Sequence, residues 1–310
     1  MTLVQPTEEM QTKIRVDLNE DVTTRDKDLE HIKQWLHRQP HLPHFDDDGR
    51  IMTFLRGCKF SLEKTKKKLD MYFTMRTAVP EFFSNRDPER PEINQMPPLP
   101  GVTPNGLRVV AIRGVLPGDG TSPIQQLPSI PEAMKVCLMI ADIRLREEFQ
   151  GVAGDVYILD ASIVTANNFA QNFSKFTPTL VKKFLVCVQE AYPVKLKEVH
   201  VVNVTPLVDT IINFVKPFLK EKIKNRIHVH SNFESLYKFI PKENLPVEYG
   251  GTCGNLEDFN NQWYEKMVTY KDWYKQQEDV KADESARPGK PKTHDDLFGV
   301  EGSFKKLTID

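Results

Sequence analysis

The sequence predicts an α/β protein in two parts, a helical N-terminal module followed by a sheet covered by helices. Three observations carry that expectation. The first ninety residues read as helices with evenly mixed charge, 16 acidic and 16 basic. Beyond a proline-rich stretch, short β-branched runs alternate with helical segments, as strands buried between helices do. The 310 residues are 39% apolar with 15 glycines besides, enough to bury one large core with a smaller companion.

Each element follows from local pattern. Asp26 to Leu36 places Leu29, Ile32, Trp35 and Leu36 on one face, and Pro40 and Pro43 end that helix. A second helix runs from Asp47 to Arg56 and breaks at Gly57. A third starts at the cap Ser61 and turns Leu62, Leu69, Tyr72, Phe73 and Met75 inward. Residues 84–106, with Asn85, Asp87, Pro88, Pro91, Pro97, Pro98, Pro100 and Pro104, read as an irregular connector that holds the domain boundary. A strand at 107–113 follows, then a helix from Ile130 to Glu148 with Met134, Leu138, Ala141 and Leu145 on one stripe. Next come a strand at 156–159, a helix from Pro178 to Glu190 and a strand at 199–204. A long helix from about Leu207 to Ile223 leads into a fourth strand at 227–230. The polar stretch from Glu278 to Asp296 lacks aromatics and is expected to be mobile. Apolar spacing returns at Leu297, Phe298, Val300, Phe304, Leu307 and Ile309, which suggests a tail end that docks back.

Charge and motifs exclude several function classes. With 42 basic and 43 acidic residues the net charge is −1, so no whole-body grip on nucleic acid or membrane is expected. The four cysteines lie far apart, which argues against a disulfide scaffold or zinc finger and for a reducing compartment. No secretory signal is visible at the N-terminus, Met1-Thr2 offers no glycine for myristoylation, and the longest apolar run is only Val136–Ala141. The phosphate-cradling Gly-x-x-x-x-Gly-Lys, the dinucleotide Gly-x-Gly-x-x-Gly and the hydrolase Gly-x-Ser-x-Gly are all missing. His37, His41 and His44 could present imidazoles together, but the intervening prolines make a solvated loop the plainer expectation. Asp160 follows a strand, where α/β enzymes place acids; with no base or nucleophile motif beside it, a structural carboxylate is expected. Asn172 and Asn203 sit in glycosylation sequons that a protein without a signal would not use.

Residues 191–230 are the most informative. Between Lys195 and Arg226 lie seven basic and three acidic residues, a local charge of 7 − 3 = +4. Within that window Val208, Ile211, Ile212, Val215 and Leu219 share a helix face, Phe214 and Phe218 widen it, and Pro217 should bend it. An apolar helix running into a basic end suits a membrane interface. It equally suits a core helix with a solvated basic end, the commoner arrangement. A nucleic-acid groove fits less well, because interleaved exposed aromatics are missing.

At these residues the chain resembles the CRAL-TRIO (Sec14-like) lipid-binding family, closest to its tocopherol- and retinaldehyde-carrier branch. Four ordered blocks carry the likeness. They are Phe54-Leu-Arg-Gly-Cys-Lys-Phe60, Tyr157-Ile-Leu-Asp160, the run through Tyr192-Pro193, His200, Asn203, Lys216-Pro-Phe-Leu219 and Arg226-Ile227, and Leu245-Pro-Val-Glu-Tyr-Gly-Gly251. The resemblance implies a helical module over 1–90, a lipid-binding domain over 91–260 and a C-terminal helix with a partly disordered tail over 261–310. It implies a mainly parallel sheet flooring an apolar cavity closed by a gate helix at 207–219. Cavity residues implied by the match are Cys137, Leu138, Ile158, Phe184, Cys187, Val188 and Tyr192. Val208, Ile211, Ile212, Phe214, Val215, Phe218 and Leu219 carry the gate, and Lys195, Lys197, Lys222 and Arg226 would bind phosphoinositide head groups. Three positions depart from the family pattern: Asp160-Ala-Ser-Ile163 after the pocket strand, Cys58 with Lys59 where a basic residue is expected, and Ser231 after the last strand's histidine. The implied function is a cytosolic monomeric carrier, transiently at membranes, that moves one tocopherol, retinoid, carotenoid or similar isoprenoid. The alternative is phosphatidylinositol or phospholipid transfer, or a lipid-sensing regulatory module. No catalysis, metal, cofactor or nucleic-acid partner is expected.

Overall fold

The computed structural model describes residues 2–89, 98–113, 129–167 and 175–299. The N-terminal module is built from α1 (Glu8–Leu18), α2 (Arg25–His37), α3 (Asp48–Gly57), α4 (Leu62–Ala78) and the short α5 (Pro80–Phe83). Caps set their limits: the Thr7 hydroxyl accepts the Met10 N–H, the Asp47 carboxylate accepts that of Arg50, and α1 ends at Asn19 in the left-handed region at φ 56°. Ile32, Leu36, Ile51, Phe54, Leu69 and Phe73 are buried together in this module's core. Gly57 is the last residue of α3 and marks a close approach. A Cβ there would stand 2.2 Å from the Pro193 carbonyl oxygen, so only glycine lets α3 meet the domain that follows.

That domain is a five-stranded sheet in the order β1 (Pro98–Val102), β2 (Leu107–Arg113), β3 (Gly154–Asp160), β4 (Leu196–Val202), β5 (Ile227–Val229). β1 is antiparallel to β2, and the other pairs are parallel. β1 lies inside the stretch expected to be an irregular connector. Its prolines are tolerated because an edge strand can leave one side of its backbone unpaired. The sheet has two apolar faces. Val109, Ala111, Val156, Ile158 and Val202 pack with Leu236, Ile240, Leu245 and Tyr249 on one; Leu159 and Val201 meet Val208 and Ile212 on the other.

Helices α6 (Ile130–Glu147) and α7 (Pro178–Val186, ending in a π turn, Cys187–Ala191) link the sheet to the N-terminal module. Their seam is organised by Asp142, which is fully buried. It accepts hydrogen bonds from Tyr72 (2.9 Å) and Tyr192 (2.7 Å) and pairs with Arg76 (3.0 Å) and Arg86 (2.6 Å). Burial alone would raise the Asp142 pKa, but the two guanidiniums outweigh it and hold the carboxyl well below the usual range.

Two sequence expectations fail here for physical reasons. The single helix from Leu207 to Ile223 is three pieces: α8 (Val208–Val215), a 3₁₀ turn (Lys216–Phe218) and α9 (Glu221–Lys224). Pro217 cannot donate to the helix ladder, and Leu219 leaves it in extended conformation at ψ 141°. The stretch expected to be mobile, Glu278 to Asp296, lies on the N-terminal module. Ala282 is buried with its N–H on the Phe73 carbonyl (3.1 Å), and Asp70 of α4 pairs with Arg287 and Lys292 at 2.8 Å each. Composition registers its missing apolar area but not the complementary charge waiting on α4. Before it come α10 (Leu256–Thr269) and α11 (Lys271–Gln277), and α12 (His294–Phe298) buries Phe298 against α7. The tail positions Val300, Phe304, Leu307 and Ile309 lie outside the described residues, as do Pro91, Pro97 and the Asn172 sequon.

Candidate ligand pocket and docking face

Strand β3 decides which side chains can face a ligand. Its alternation sends Val156 and Ile158 to the Leu236–Tyr249 side and Tyr157 and Leu159 to the α6–α8 side. Ile158, expected in the cavity, is therefore fully buried on the opposite face from α8, and Leu159 is the neighbour that meets Val208. Helix α8 lies over Leu159 and Val201. It buries Val208, while Ile211, Ile212, Phe214 and Val215 stay half-exposed, as do Phe218 and Leu219 beyond it. Phe214 extends this apolar surface through contacts with Phe176 (5.4 Å) and Phe218 (6.1 Å).

The other cavity candidates separate into two groups. Cys137 keeps some accessible surface, and burial pushes its thiol up to about 12. Phe184 and Val188 are also half-exposed, with Phe184 edge-on to Phe82 at 6.1 Å. Leu138, Cys187 and Tyr192, by contrast, are completely enclosed in the core that joins the domain to the N-terminal module. Tyr192 is spent on Asp142 and on an edge contact with Tyr72 at 5.4 Å.

The basic positions also divide. Lys195 and Lys197 leave β4 beside α1, where Asp17 lies 3.7 Å and 3.6 Å from their ammonium nitrogens. Lys59 joins them from the other side at 3.9 Å. Its backbone is left-handed (φ 54°), which swings it out of the end of α3. Three cations thus surround one carboxylate at distances longer than hydrogen bonds. The Lys195 nitrogen and the Asp17 Oδ2 are both enclosed without a hydrogen-bond partner. Desolvation, with help from Lys59 and Lys197, lowers the Lys195 pKa to about 8 against the pull of Asp17. Arg226 donates to the Leu196 carbonyl at the root of the same strand, and Lys222 is exposed on α9. Between this cluster and the Asp142 seam lies a pocket of about 70 Å³ lined by Arg56, Gly57, Arg144, Tyr157, Pro193 and Lys195. Arg56 is held in a bidentate pair with Glu20 at 2.8 Å on both arms, so it positions the α1–α2 turn.

Sequence reasoning missed Asp17 and undervalued Lys59. The available signal was the spacing of Ile14 and Leu18, which places Asp17 on a helix rather than in a loose arm. Asp160 is a local cap: it accepts from the Ser162 N–H (2.9 Å), the Asn203 amide (3.0 Å) and the Tyr249 hydroxyl (3.2 Å). The histidine triple splits. His41 is buried near Asp70, whereas His37 and His44 meet at Asp46. Among the described residues no helix is long and apolar enough to cross a membrane.

Comparison with known proteins is consistent with this geometry. The family model described as "Divergent CRAL/TRIO domain" matches residues 157–258, and that described as "Pinta-like, UBA domain" matches residues 21–93. The chain is 32% identical over 260 residues to "Alpha-tocopherol transfer protein-like" of Homo sapiens, covering 81% of this chain and 72% of the relative. It is 29% identical over 245 residues to "Clavesin-1" of Xenopus laevis, covering 77% and 72%. A solved structure described as "Crystal structure of Sfh5" aligns over 86% of this chain and 99% of its own at 11% identity, with a TM-score of 0.48.

Proposed function

The chain belongs to the CRAL-TRIO family, a lipid-binding and transfer fold, and from that premise we propose that it carries one hydrophobic ligand of isoprenoid type between membranes without chemical change. One observation carries the proposal: an apolar helix with half-exposed side chains and an under-neutralised lysine cluster belong to the same domain. Cys137, Phe184, Val188, Leu159 and the inner face of α8 bound the ligand. Burying a chain of some twenty carbons at ~0.8 kcal/mol per CH₂ makes spontaneous release into water slow, so unloading needs a membrane.

Lys195, Lys197, Lys222 and Arg226 hold phosphoinositide head groups while Ile211, Phe214, Val215 and Phe218 enter the interface. Lysine ammoniums and the Arg226 fork suit phosphate oxygens. The carrier works as a cytoplasmic monomer that visits membranes. The test is organic extraction of the purified protein with mass spectrometry, followed by transfer between vesicles with and without phosphatidylinositol bisphosphate. The expected result is one intact lipid per chain and transfer accelerated by the anionic lipid. A Lys222→Ala/Arg226→Ala variant should slow transfer and leave ligand binding nearly unchanged. Equal loss of both would refute the division of labour, and a chemically altered lipid would point to an enzyme.

A further inference from the structure

The loop between α2 and α3 gathers three metal-ligating side chains that the carrier function does not use. His37 is the last residue of α2, and His44 and Asp46 lie in the loop that leads into α3. The His37 Nε2 stands 2.8 Å from Asp46 Oδ1, and the His44 Nε2 stands 3.2 Å from Asp46 Oδ2. All three donor atoms lie within 4.8 Å of one another, and the two imidazoles stack at 5.2 Å with 28° between their planes. We propose that His37, His44 and Asp46 form a binding site for one divalent first-row transition ion of the zinc type.

The distances support the assignment. Around a tetrahedral ion with bonds of about 2.0–2.1 Å, neighbouring donor atoms stand about 3.4 Å apart. The His44–Asp46 pair at 3.2 Å is close to that value, whereas the His37–Asp46 pair is closed to 2.8 Å as a hydrogen bond that a bound ion would replace; all three side chains are exposed, so small rotations open the geometry. The loop also holds the donors in place. Pro40 and Pro43 fix its backbone, and the buried side chains of Leu42 and Phe45 anchor it on both sides of His44. Phe45 is clamped between Phe73 (5.1 Å) and the Arg50 guanidinium (4.5 Å). Two imidazoles and a carboxylate favour zinc, copper or nickel over magnesium and calcium, which need more oxygens. The fourth position opens to solvent. A bound ion would clip the end of α2 to the start of α3, and the site would stand whether or not the carrier reading holds.

The full-length protein should be titrated with zinc chloride by calorimetry in a non-chelating buffer, with cobalt absorption as a second readout of tetrahedral geometry. One ion per chain is expected, unaffected by excess magnesium. His37→Ala and His44→Ala should each weaken binding by at least about tenfold, because removing one of three protein ligands costs more than disturbing a supporting contact. His31→Ala, an exposed histidine on the same helix, should change nothing. Circular dichroism checks that the variants fold. The proposal is overturned if no saturable one-to-one binding appears, or if binding survives the His37/His44 double variant, which would place the ion on the cysteines or elsewhere.

Discussion

Asp142 and Asp17 are both ringed by cations, but the rings differ in closeness and completeness. Asp142 has four partners between 2.6 and 3.0 Å, two guanidiniums and two phenol hydroxyls, with every group buried. Asp17 has three ammoniums between 3.6 and 3.9 Å, and one of its oxygens makes no hydrogen bond. The first arrangement engages both carboxylate oxygens at hydrogen-bond distance and fixes the seam between module and domain. The second holds excess positive charge near the surface against a single weakly engaged anion. A phosphate with several oxygens would meet those lysines better than a carboxylate does. The contrast separates a charge cluster that makes structure from one that leaves its cations under-neutralised.

The sharpest way to break the comparison is Asp142→Asn. Arg76 and Arg86 would be left buried without a counter-charge, a loss of about 3–5 kcal/mol in denaturant unfolding. The pH dependence follows the same logic. The Asp142 pKa is depressed in the folded protein, so its contribution is present above the unfolded carboxylate value of about 3.9 and is lost as pH falls through the folded value. Wild-type stability should therefore decline in that acid range more steeply than that of the variant. If Asp142→Asn unfolds at wild-type denaturant concentration, the seam is not held by charge.

A smaller effect is expected at the point where the two clusters meet. In Gly57→Ala the new methyl would press on the Pro193 backbone oxygen at 2.2 Å, and backbone yields less than a side chain. Overpacking of this kind costs about 1–3 kcal/mol. Unfolding midpoints measured with and without anionic vesicles would show whether forcing the seam apart also disturbs Lys195. An unchanged midpoint would mean that α3 and Pro193 separate freely.

Asp17→Asn sharpens the other half of the comparison. The variant removes a competing anion without moving the lysines. Each pair near 4 Å is worth about 1 kcal/mol in a water-like dielectric, so affinity for phosphoinositide vesicles should rise by roughly fivefold. Vesicle co-sedimentation at fixed ionic strength measures it. Weaker binding by the variant would make Asp17 a positioning residue for the lysines rather than their competitor.

What the sequence revealed, and what it hid, follow the same physical line. Elements with dense apolar periodicity were legible: β2 spans Leu107–Arg113 as expected, and α6 ends one residue before the expected Glu148. Helix α1 was not, because only Ile14 and Leu18 are buried in its eleven residues. With it went Asp17, which lies 42 residues before the nearest lysine it meets, Lys59. The family likeness marks Lys195 and Lys197, which both lie near Asp17, and assigns Ile158 to a cavity, whereas strand alternation turns Ile158 to the Leu236–Tyr249 face. Local pattern finds elements. Counter-charges that arrive from a distant helix, and the face a strand residue takes, need the tertiary arrangement.

Lys195 offers the finest test, because its charge changes in an accessible pH range. Burial lowers its pKa to about 8, so between pH 7 and 9 it passes from mostly charged to mostly neutral. A bound phosphate favours the charged form, so affinity for anionic vesicles should fall as pH rises through about 8. The lipid does not explain such a fall, since phosphomonoester groups, with a second pKa of about 6, only gain negative charge as pH rises. Protein stability should move the opposite way. Between about 8 and the unfolded lysine value of about 10.4 the unfolded chain binds more protons, and stability rises with pH there. Lys195→Arg, whose guanidinium stays charged throughout, should bind with no such slope. Equal slopes in wild type and variant would remove Lys195 from the docking face. Opposite signs for docking and stability in one protein would show that burial disfavours the charged ammonium and that a bound anion restores it.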